Sequence, residues 1–333
     1  MARGFRSFRR EPSNLVTSVT YYVDTNANYT EEVPEGKSAL SPSSFTPTKS
    51  GYSFLGWRED SVASSDVLVE KKAKGKTLSL YAVFTKDITL TTYNASNSPT
   101  STTKTQYYNN ANIVNPTFVM SETAISGWTN AGWTNNINGY TATVADGATI
   151  TLSSNAEYYT LYTQTITVTY YNGSATPSYA TGTRIANVHS ASTFQNPTFQ
   201  LAQAGLSGWT ARGWTTSASG GESAISYGNN VAFTRDTNIV LYGCYYRTAT
   251  ITYDPSGAGG TGSGYVAPST GTAYYHSTSG ATDAQITLSS SGFTPPSGTV
   301  PNPQWLINKA RYPWGSVYNT SLDVTAKAVY RRL

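Results

Sequence analysis

Internal repetition constrains this chain more than any other feature of its sequence. The tract Asn115-Pro-Thr-Phe118 recurs 81 residues later as Asn196-Pro-Thr-Phe199, and Gly132-Trp133-Thr134 recurs at the same interval as Gly213-Trp214-Thr215. A similar opening pattern precedes both tracts. A match over most of a unit indicates duplication, and a tandem array of small modules is more typical of a structural or binding protein than of an enzyme.

Weaker copies flank this pair and extend the repeat towards both ends of the chain. The first copy opens at residues 19–24, and the last opens at Ile251-Thr-Tyr-Asp254. We therefore predict an N-terminal arm of residues 1–17, followed by modules 1 to 4 at residues 18–87, 88–165, 166–248 and 249–333. Modules of about 70–85 residues have the size of a small domain with one modest core.

The local pattern within the modules predicts strands. Ile166-Thr-Val-Thr-Tyr-Tyr171 alternates apolar and hydroxyl side chains, which is typical of a half-exposed strand. No long stretch shows the apolar stripe of an amphipathic helix. The best helix candidate, residues 65–76, contains Gly75 and four lysines, so we expect at most one or two helical turns there. The prediction is a mainly β fold.

Module 1 resembles a known repeat family. Gly51-Tyr-Ser-Phe-Leu-Gly-Trp57, followed by Leu80-Tyr-Ala-Val-Phe84, is similar to the internalin B-repeat of bacterial surface proteins, and Ile251-Thr-Tyr-Asp254 with its glycine-rich continuation is similar to that family's opening strand. Modules 2 and 3 keep the Gly-Trp and Leu-Tyr pairs but lack the Gly-Tyr-x-Phe lead-in. The resemblance implies β-grasp-like sheet modules with a binding or spacer role and no chemistry of their own.

Tryptophans are the expected centres of the modules. A buried indole removes about 200 Å² of surface, worth on the order of 5 kcal/mol, which is a large share of what a small core supplies. We expect one tryptophan per module to anchor a core, and the three others to be candidates for a surface-binding role. The anchors are Trp57, Trp133, Trp214 and Trp305, and the surface candidates are Trp128, Trp209 and Trp314.

The net charge of +4 comes entirely from the first ten residues of the N-terminal arm. Four of the 22 basic residues lie within the first ten positions, and the rest of the chain holds 18 basic and 18 acidic side chains. Phenylalanines alternate with these arginines, so the arm combines rings that can enter a pocket with guanidinium groups that bind carboxylates or phosphates. The predicted docking residues are Arg3, Phe5, Arg6, Phe8, Arg9 and Arg10.

Three readings of the arm remain open: docking onto a larger protein assembly, contact with nucleic acid, or a solvated tail. Docking is the interpretation we favour.

Only 12% of the residues are charged, so neutral polar residues and 26 tyrosines must cover the surface. Tyrosine offers contact area at low entropic cost, which makes a host surface protein or glycan a further candidate partner. Selection for solubility and protease resistance alone explains the same composition equally well.

The sequence contains no apolar signal peptide and no apolar run long enough to span a membrane. Surface-type modules without export or anchoring signals lead us to expect a bacteriophage structural protein of the capsid decoration or head fibre type, made in the host cytoplasm and located in the virion. The first alternative is a bacterial cell-surface adhesin or spacer whose export signal is missing. The second is a phage tail or collar component with carbohydrate-active function.

No catalytic or metal-binding constellation is apparent. Cys244 is the single cysteine and stands in an apolar run, which favours a buried thiol. His189 and His276 have no partner that the sequence identifies. A pair of carboxylates among the 18 acids would be needed for glycoside hydrolysis, and these acids are scattered. We therefore expect no enzyme activity, no cofactor and no metal.

Overall fold

A computed structural model describes residues 15–187, 194–219 and 225–333. These residues form 24 strands and no helix, so the predicted mainly β fold is confirmed. The chain divides into two compact units. Unit 1 comprises Met1–Thr163 and Ile185–Phe194, and unit 2 comprises Gln164–Arg184 and Gln195–Leu333.

Unit 1 is built on two mixed sheets that share one long strand. Its strands are β1 (Val16–Tyr22), β2 (Ala27–Pro34), β3 (Ser53–Arg58), β4 (Thr77–Tyr93), β5 (Thr100–Asn109), β6 (Asn112–Val114), β7 (Thr117–Val119), β8 (Thr129–Thr134), β9 (Thr149–Thr151) and the first half of β10 (Ala156–Tyr171). In the first sheet the order is β2-β1-β4-β3, with β1 and β4 parallel and both outer pairs antiparallel. The second sheet repeats this arrangement as β5-β4-β10-β8, with β4 and β10 parallel.

The strand β4 therefore ends one sheet and begins the next without a linker. Residues 77–85 pair with β1 and β3, whereas residues 87–93 pair with β5 and β10. The partner β5 is longer than the second sheet requires, because its last residues, 106–109, pair with residues 83–86 of β4. As a result Tyr108 lies in the core of module 1 and is 5% exposed.

Unit 2 repeats the same plan. Its strands are the second half of β10, β11 (Pro177–Asn187), β12 (Phe194–Gln195), β13 (Thr198–Gln200), β14 (Thr210–Thr215), β15 (Ala232–Thr234), β16 (Ile239–Ala258), β17 (Gly260–Thr261), β18 (Ser269–His276), β19 (Gly280–Thr282), β20 (Ala284–Thr287), β21 (Thr299–Ile307), β22 (Ala310–Pro313), β23 (Val317–Thr320) and β24 (Val324–Arg332). The last three residues of β11 and the first residue of β12 belong to unit 1. β16 pairs first with β10 and β14, and then with β18 and β24, in the order β18-β16-β24-β21.

Four apolar cores lie among the described residues, two in each unit. Apart from Tyr108 and Trp209, each buried cluster draws its residues from one of the four predicted modules. In modules 2 to 4 a small two-stranded sheet covers the core from the other side. These pairs are β7 with β9, β13 with β15 and β20 with β23. Each of these three cores is thus closed between two layers of sheet, because one amphipathic sheet face has to be buried against another element.

The helix candidate at residues 65–76 forms no helix. This segment instead runs beside residues 36–39, where the Ala73 amide donates to the Lys37 carbonyl (2.8 Å) and the Ala39 amide donates to the Lys71 carbonyl (2.8 Å). Ala39 and Ala73 are buried in the core of module 1. The segment therefore closes this core in the place that the small sheets occupy in the other modules.

Candidate functional site

The predicted docking residues Arg3, Phe5, Arg6, Phe8, Arg9 and Arg10 lie outside the described residues. The first two described residues, Leu15 and Val16, have side chains that are 58% and 43% exposed. Thr17 is buried, and its hydroxyl donates to the Gly75 carbonyl at 2.9 Å. Two apolar side chains thus stand on the surface where the arm meets module 1, and the docking role of the arm remains a prediction.

The four expected anchors all lie in the module cores. Trp57 and Trp133 are 2% and 1% exposed, and Trp214 and Trp305 are fully buried. Three of the indole Nε1 groups donate to a backbone carbonyl of the same module. These bonds join Trp57 to Leu40 (3.1 Å), Trp214 to Leu201 (3.2 Å) and Trp305 to Ser289 (2.9 Å). Trp133 differs, because its buried Nε1 has no acceptor among the described residues.

The three candidates for surface binding are only partly buried, but each of them packs against another ring. Trp128 stacks on Phe194 with ring centroids 5.9 Å apart. Trp209 lies 5.7 Å from Tyr275 and packs on the core of module 4. Trp314 lies 6.0 Å from Trp305 in that same core. Their indole faces therefore support internal packing, and part of each ring remains accessible.

Pairs of tyrosines on the sheet faces opposite the cores were not foreseen from the sequence. At the last paired position of three parallel ladders, two tyrosines stack with nearly parallel rings. The pairs are Tyr22 with Tyr81 (4.7 Å), Tyr93 with Tyr159 (4.8 Å) and Tyr171 with Tyr242 (5.0 Å). Module 4 has Asp254 and Lys327 at this position, with Oδ2 and Nζ 3.8 Å apart. The Tyr-Tyr dipeptides at 21–22 and 170–171 were the available signal, since one ring of each must leave the core face.

A second repeated feature joins the end of one strand to the preceding module. The Asn109 side chain is buried at the end of β5, and its Nδ2 donates to the carbonyls of Asp60 (3.0 Å) and Val62 (2.9 Å) in the loop after β3. At the end of β11, Asn187 Nδ2 donates to Gly139 O (2.8 Å) in the loop after β8, and these two residues both belong to unit 1. Such buried bonds fix two loops, because an unpaired buried carbonyl is costly.

In unit 2 the corresponding residue is His276, at the end of β18. This histidine is fully buried, and its Nε2 lies 3.0 Å from the Ser217 carbonyl in the loop after β14. The Thr278 amide donates to Nδ1 at 3.3 Å, so Nε2 is the ring nitrogen that can donate to the Ser217 carbonyl. His276 therefore has a structural role. The other histidine, His189, lies outside the described residues.

One pair of acids has the electrostatic character of an active site. Burial, and then the charge of Asp146, raises the pKa of Glu122 to about 7, although the amides of Gly132 and Ala131 act in the opposite sense. Asp146 accepts a hydrogen bond from the Glu122 amide (2.7 Å), and this bond lowers the pKa of Asp146. A carboxyl group with a pKa near neutrality is a candidate general acid.

Module 3 identifies this acid pair as structural. Gln203 and Asn229 occupy the equivalent positions, and the Gln203 amide donates to Asn229 Oδ1 at 2.8 Å. The same loop connection therefore forms with amides, which cannot transfer protons. The pair in module 2 connects two loops, and the burial of Glu122 is the main cause of its raised pKa.

The described residues contain no group of three or more histidine, cysteine or acidic side chains placed to bind a metal ion. Cys244 is buried, as its apolar run indicated. Within the same described ranges, we find no helix with the length and hydropathy of a membrane span. Comparison of the sequence with models of known protein families and with curated proteins yields no match. The resemblance to internalin B-repeats therefore remains an expectation.

Proposed function

We propose that this protein is a non-enzymatic structural component of a bacteriophage particle. In this proposal the Arg/Phe arm at residues 1–17 binds a capsid or tail protein, and the β modules extend outward as a decoration or head fibre. Host proteins or glycans would be contacted by the exposed polar and tyrosine-rich surface. The proposed location is the virion, with synthesis in the host cytoplasm.

The observation that supports this proposal best is the linker-free connection between modules. One strand, β4, serves the sheets of modules 1 and 2, and β16 serves the sheets that contain β14 and β24. Asn109 and His276 add buried hydrogen bonds at these junctions. Stacked repeats in which each unit contacts its neighbours build length and surface. This design favours a spacer or display protein over an enzyme, whose chemistry needs converging polar groups in a cleft.

The proposal is tested by the fate of the arm in particles released by lysis. Full-length protein should sediment with particles, and a variant that lacks residues 1–10 should stay in the soluble fraction with an unchanged far-UV circular dichroism spectrum, because β1 begins only at Val16. The matched control replaces Arg331 and Arg332 with serine, which removes two exposed arginines at the other end of the chain. This control should still sediment with particles.

Three results would contradict the proposal. If the truncated protein sediments with particles as the full chain does, the arm is not the docking element. If the full chain is found in the envelope of uninfected cells and not in particles, the adhesin alternative replaces it. Polysaccharide cleavage that disappears on mutation of an acid pair would favour the carbohydrate-active alternative.

A further inference from the structure

Module 2 carries a cleft beside its anchor tryptophan. The cleft has a volume of ≈ 130 Å³, and its apolar wall is formed by Leu90, Phe118, Met120 and Trp133. Polar side chains, including Asn94, Thr102 and Lys104, line the rest of it. An engineered cavity of about 150 Å³ accepts a benzene ring, so this cleft has the size for a single ring.

The cleft exists because one core position differs in module 2. Thr92 lines it, and the alternation along β4 places Thr92 on the same face as Leu90 and opposite to Tyr93. In the other three modules this position is a tyrosine that packs on the anchor tryptophan. The centroid distances are 5.0 Å for Tyr21 and Trp57, 5.6 Å for Tyr170 and Trp214, and 4.4 Å for Tyr253 and Trp305. Module 2 thus lacks the phenol ring that the other modules carry at this position, and its own core tyrosine, Tyr158, comes from the paired position on β10 and does not line the cleft.

The anchor tryptophan of this module also has an unused donor. Trp133 is 1% exposed and lines the cleft, yet its Nε1 has no acceptor among the described residues. The equivalent group of Trp214 donates to the Leu201 carbonyl. A buried donor without a partner is costly, so a bound group that supplies an acceptor would stabilise it.

We propose that this cleft binds the side chain of a tyrosine presented by another polypeptide. The ring takes the place that Tyr170 fills in module 3, and it packs against Trp133 and Phe118. At the mouth, the Lys104 ammonium lies 5.1 Å from the centroid of the Phe118 ring and 2.5 Å from the Thr117 carbonyl, where it can also donate to a phenol oxygen.

A polypeptide is favoured as the source of the ring by the surface around the cleft. Val119 lines it and is 67% exposed, and it offers apolar contact to the residues that flank an inserted tyrosine. The polar lining includes the exposed Thr102, whose hydroxyl suits a backbone amide, whereas the Asn94 side chain already bonds to Ser121 and Thr123. This inference is independent of the proposed function, because it rests on the comparison of module cores.

The test uses p-cresol, which is the tyrosine side chain, and full-length protein labelled with nitrogen-15. The chain has seven indole N–H signals, and the signal absent from Trp133→Phe belongs to Trp133. Titration with p-cresol should shift this signal saturably. The peptide acetyl-Ser-Tyr-Ser-amide should shift it in the same direction, and acetyl-Ser-Ala-Ser-amide should not.

Two variants and a matched control connect the shift to the cleft. Thr92→Tyr fills the cleft, as in the other modules, and should abolish the shift. Thr91→Tyr adds the same ring on the opposite face of β4 and should leave the shift intact. Tyr170→Thr opens the equivalent space in module 3 and should create a second p-cresol site, detected on the Trp214 indole signal.

The proposal is overturned if p-cresol leaves the Trp133 signal unmoved, or if Thr92→Tyr binds p-cresol as the wild type does. Should Thr92→Tyr fail to fold, Tyr170→Thr decides the question: absence of a second site would contradict the tyrosine-slot reasoning. Methyl β-glucopyranoside serves as the sugar probe. A Trp133 shift caused by this sugar and not by p-cresol would assign the cleft to glycans and refute a tyrosine ligand.

Discussion

Replacement of Glu122 by glutamine should stabilise module 2 at neutral and alkaline pH. Burial, followed by the charge of Asp146, raises the pKa of Glu122 in the folded protein from 4.5 to about 7. The folded state therefore holds this proton more tightly than the unfolded state. Its stabilising contribution is complete below pH 4.5 and is lost as the pH rises through about 7.

The magnitude follows from the two pKa values. Their difference, at about 1.4 kcal/mol per pH unit, lowers the free energy of unfolding by about 3 kcal/mol between pH 4 and pH 8. Glutamine is the natural residue at the equivalent position 203, where the same backbone connection forms. Glu122→Gln should thus keep the fold and avoid most of this loss of stability, so that the variant is about 2–3 kcal/mol more stable than the wild type at pH 8.

Hydrogen exchange at a single amide provides the local readout. The Trp133 amide donates to the Val144 carbonyl at 2.7 Å, and the Trp214 amide makes the equivalent bond to Tyr227 in module 3 at 2.7 Å. After correction for intrinsic exchange rates, protection of the Trp133 amide should fall from pH 5 to pH 8 in the wild type and stay level in the variant. The Trp214 amide is the internal control and should behave alike in both proteins.

Wild-type protection at Trp133 that does not change between pH 5 and pH 8 would contradict this prediction. So would a Glu122→Gln variant that is no more stable than the wild type at pH 8. The reverse substitution, Gln203→Glu, offers an independent check in module 3. It should make the protection of the Trp214 amide fall with rising pH.

Three further substitutions test the packing. Trp214→Phe should cost about 0.5–1.5 kcal/mol more than Trp133→Phe in denaturant unfolding, because only Trp214 loses an indole hydrogen bond; equal costs would contradict this assignment. Gly257→Ala should destabilise module 4 by about 1–3 kcal/mol, since its methyl group would overlap the Ala328 carbonyl, and an unchanged thermal midpoint would refute the close approach. Tyr108→Ala, although in β5, should weaken amide protection in β1 of module 1 by about 3–5 kcal/mol, whereas an effect confined to module 2 would show that β5 does not complete the first core.

The β class and the central tryptophans were accessible from the sequence because both depend on short-range patterns. Alternation of Ile, Thr and Val specifies strands, and a tryptophan that recurs in every module marks a large apolar group that has to be buried. Residues 65–76 illustrate the limit of local patterns. Their partner is the segment at residues 36–39, and this distant pairing holds them extended.

The connections between modules could not be predicted from local sequence. Nothing within β4 indicates that its two halves belong to different sheets, because pairing with β1, β3, β5 and β10 decides this. From the sequence Asn109 looks like part of a turn, and residues 110 and 111 after it do have positive φ. Its burial depends on carbonyls about 50 residues away.

The cleft of module 2 was accessible in principle. Alignment of the four opening strands places Thr92 among three tyrosines, but the meaning of this difference depends on the faces of the strand. The parallel register of β4 and β10 settles those faces. By contrast, the docking arm has no repeat within the chain with which it can be compared.

Electron cryo-microscopy of particles released by lysis would show whether the arm attaches the β modules to a particle. We expect density for the modules on the particle exterior, with residues 1–10 enclosed by a capsid or tail protein. Particles that carry no copy of this chain, or a bound copy whose modules face the particle while the arm is in solvent, would contradict it.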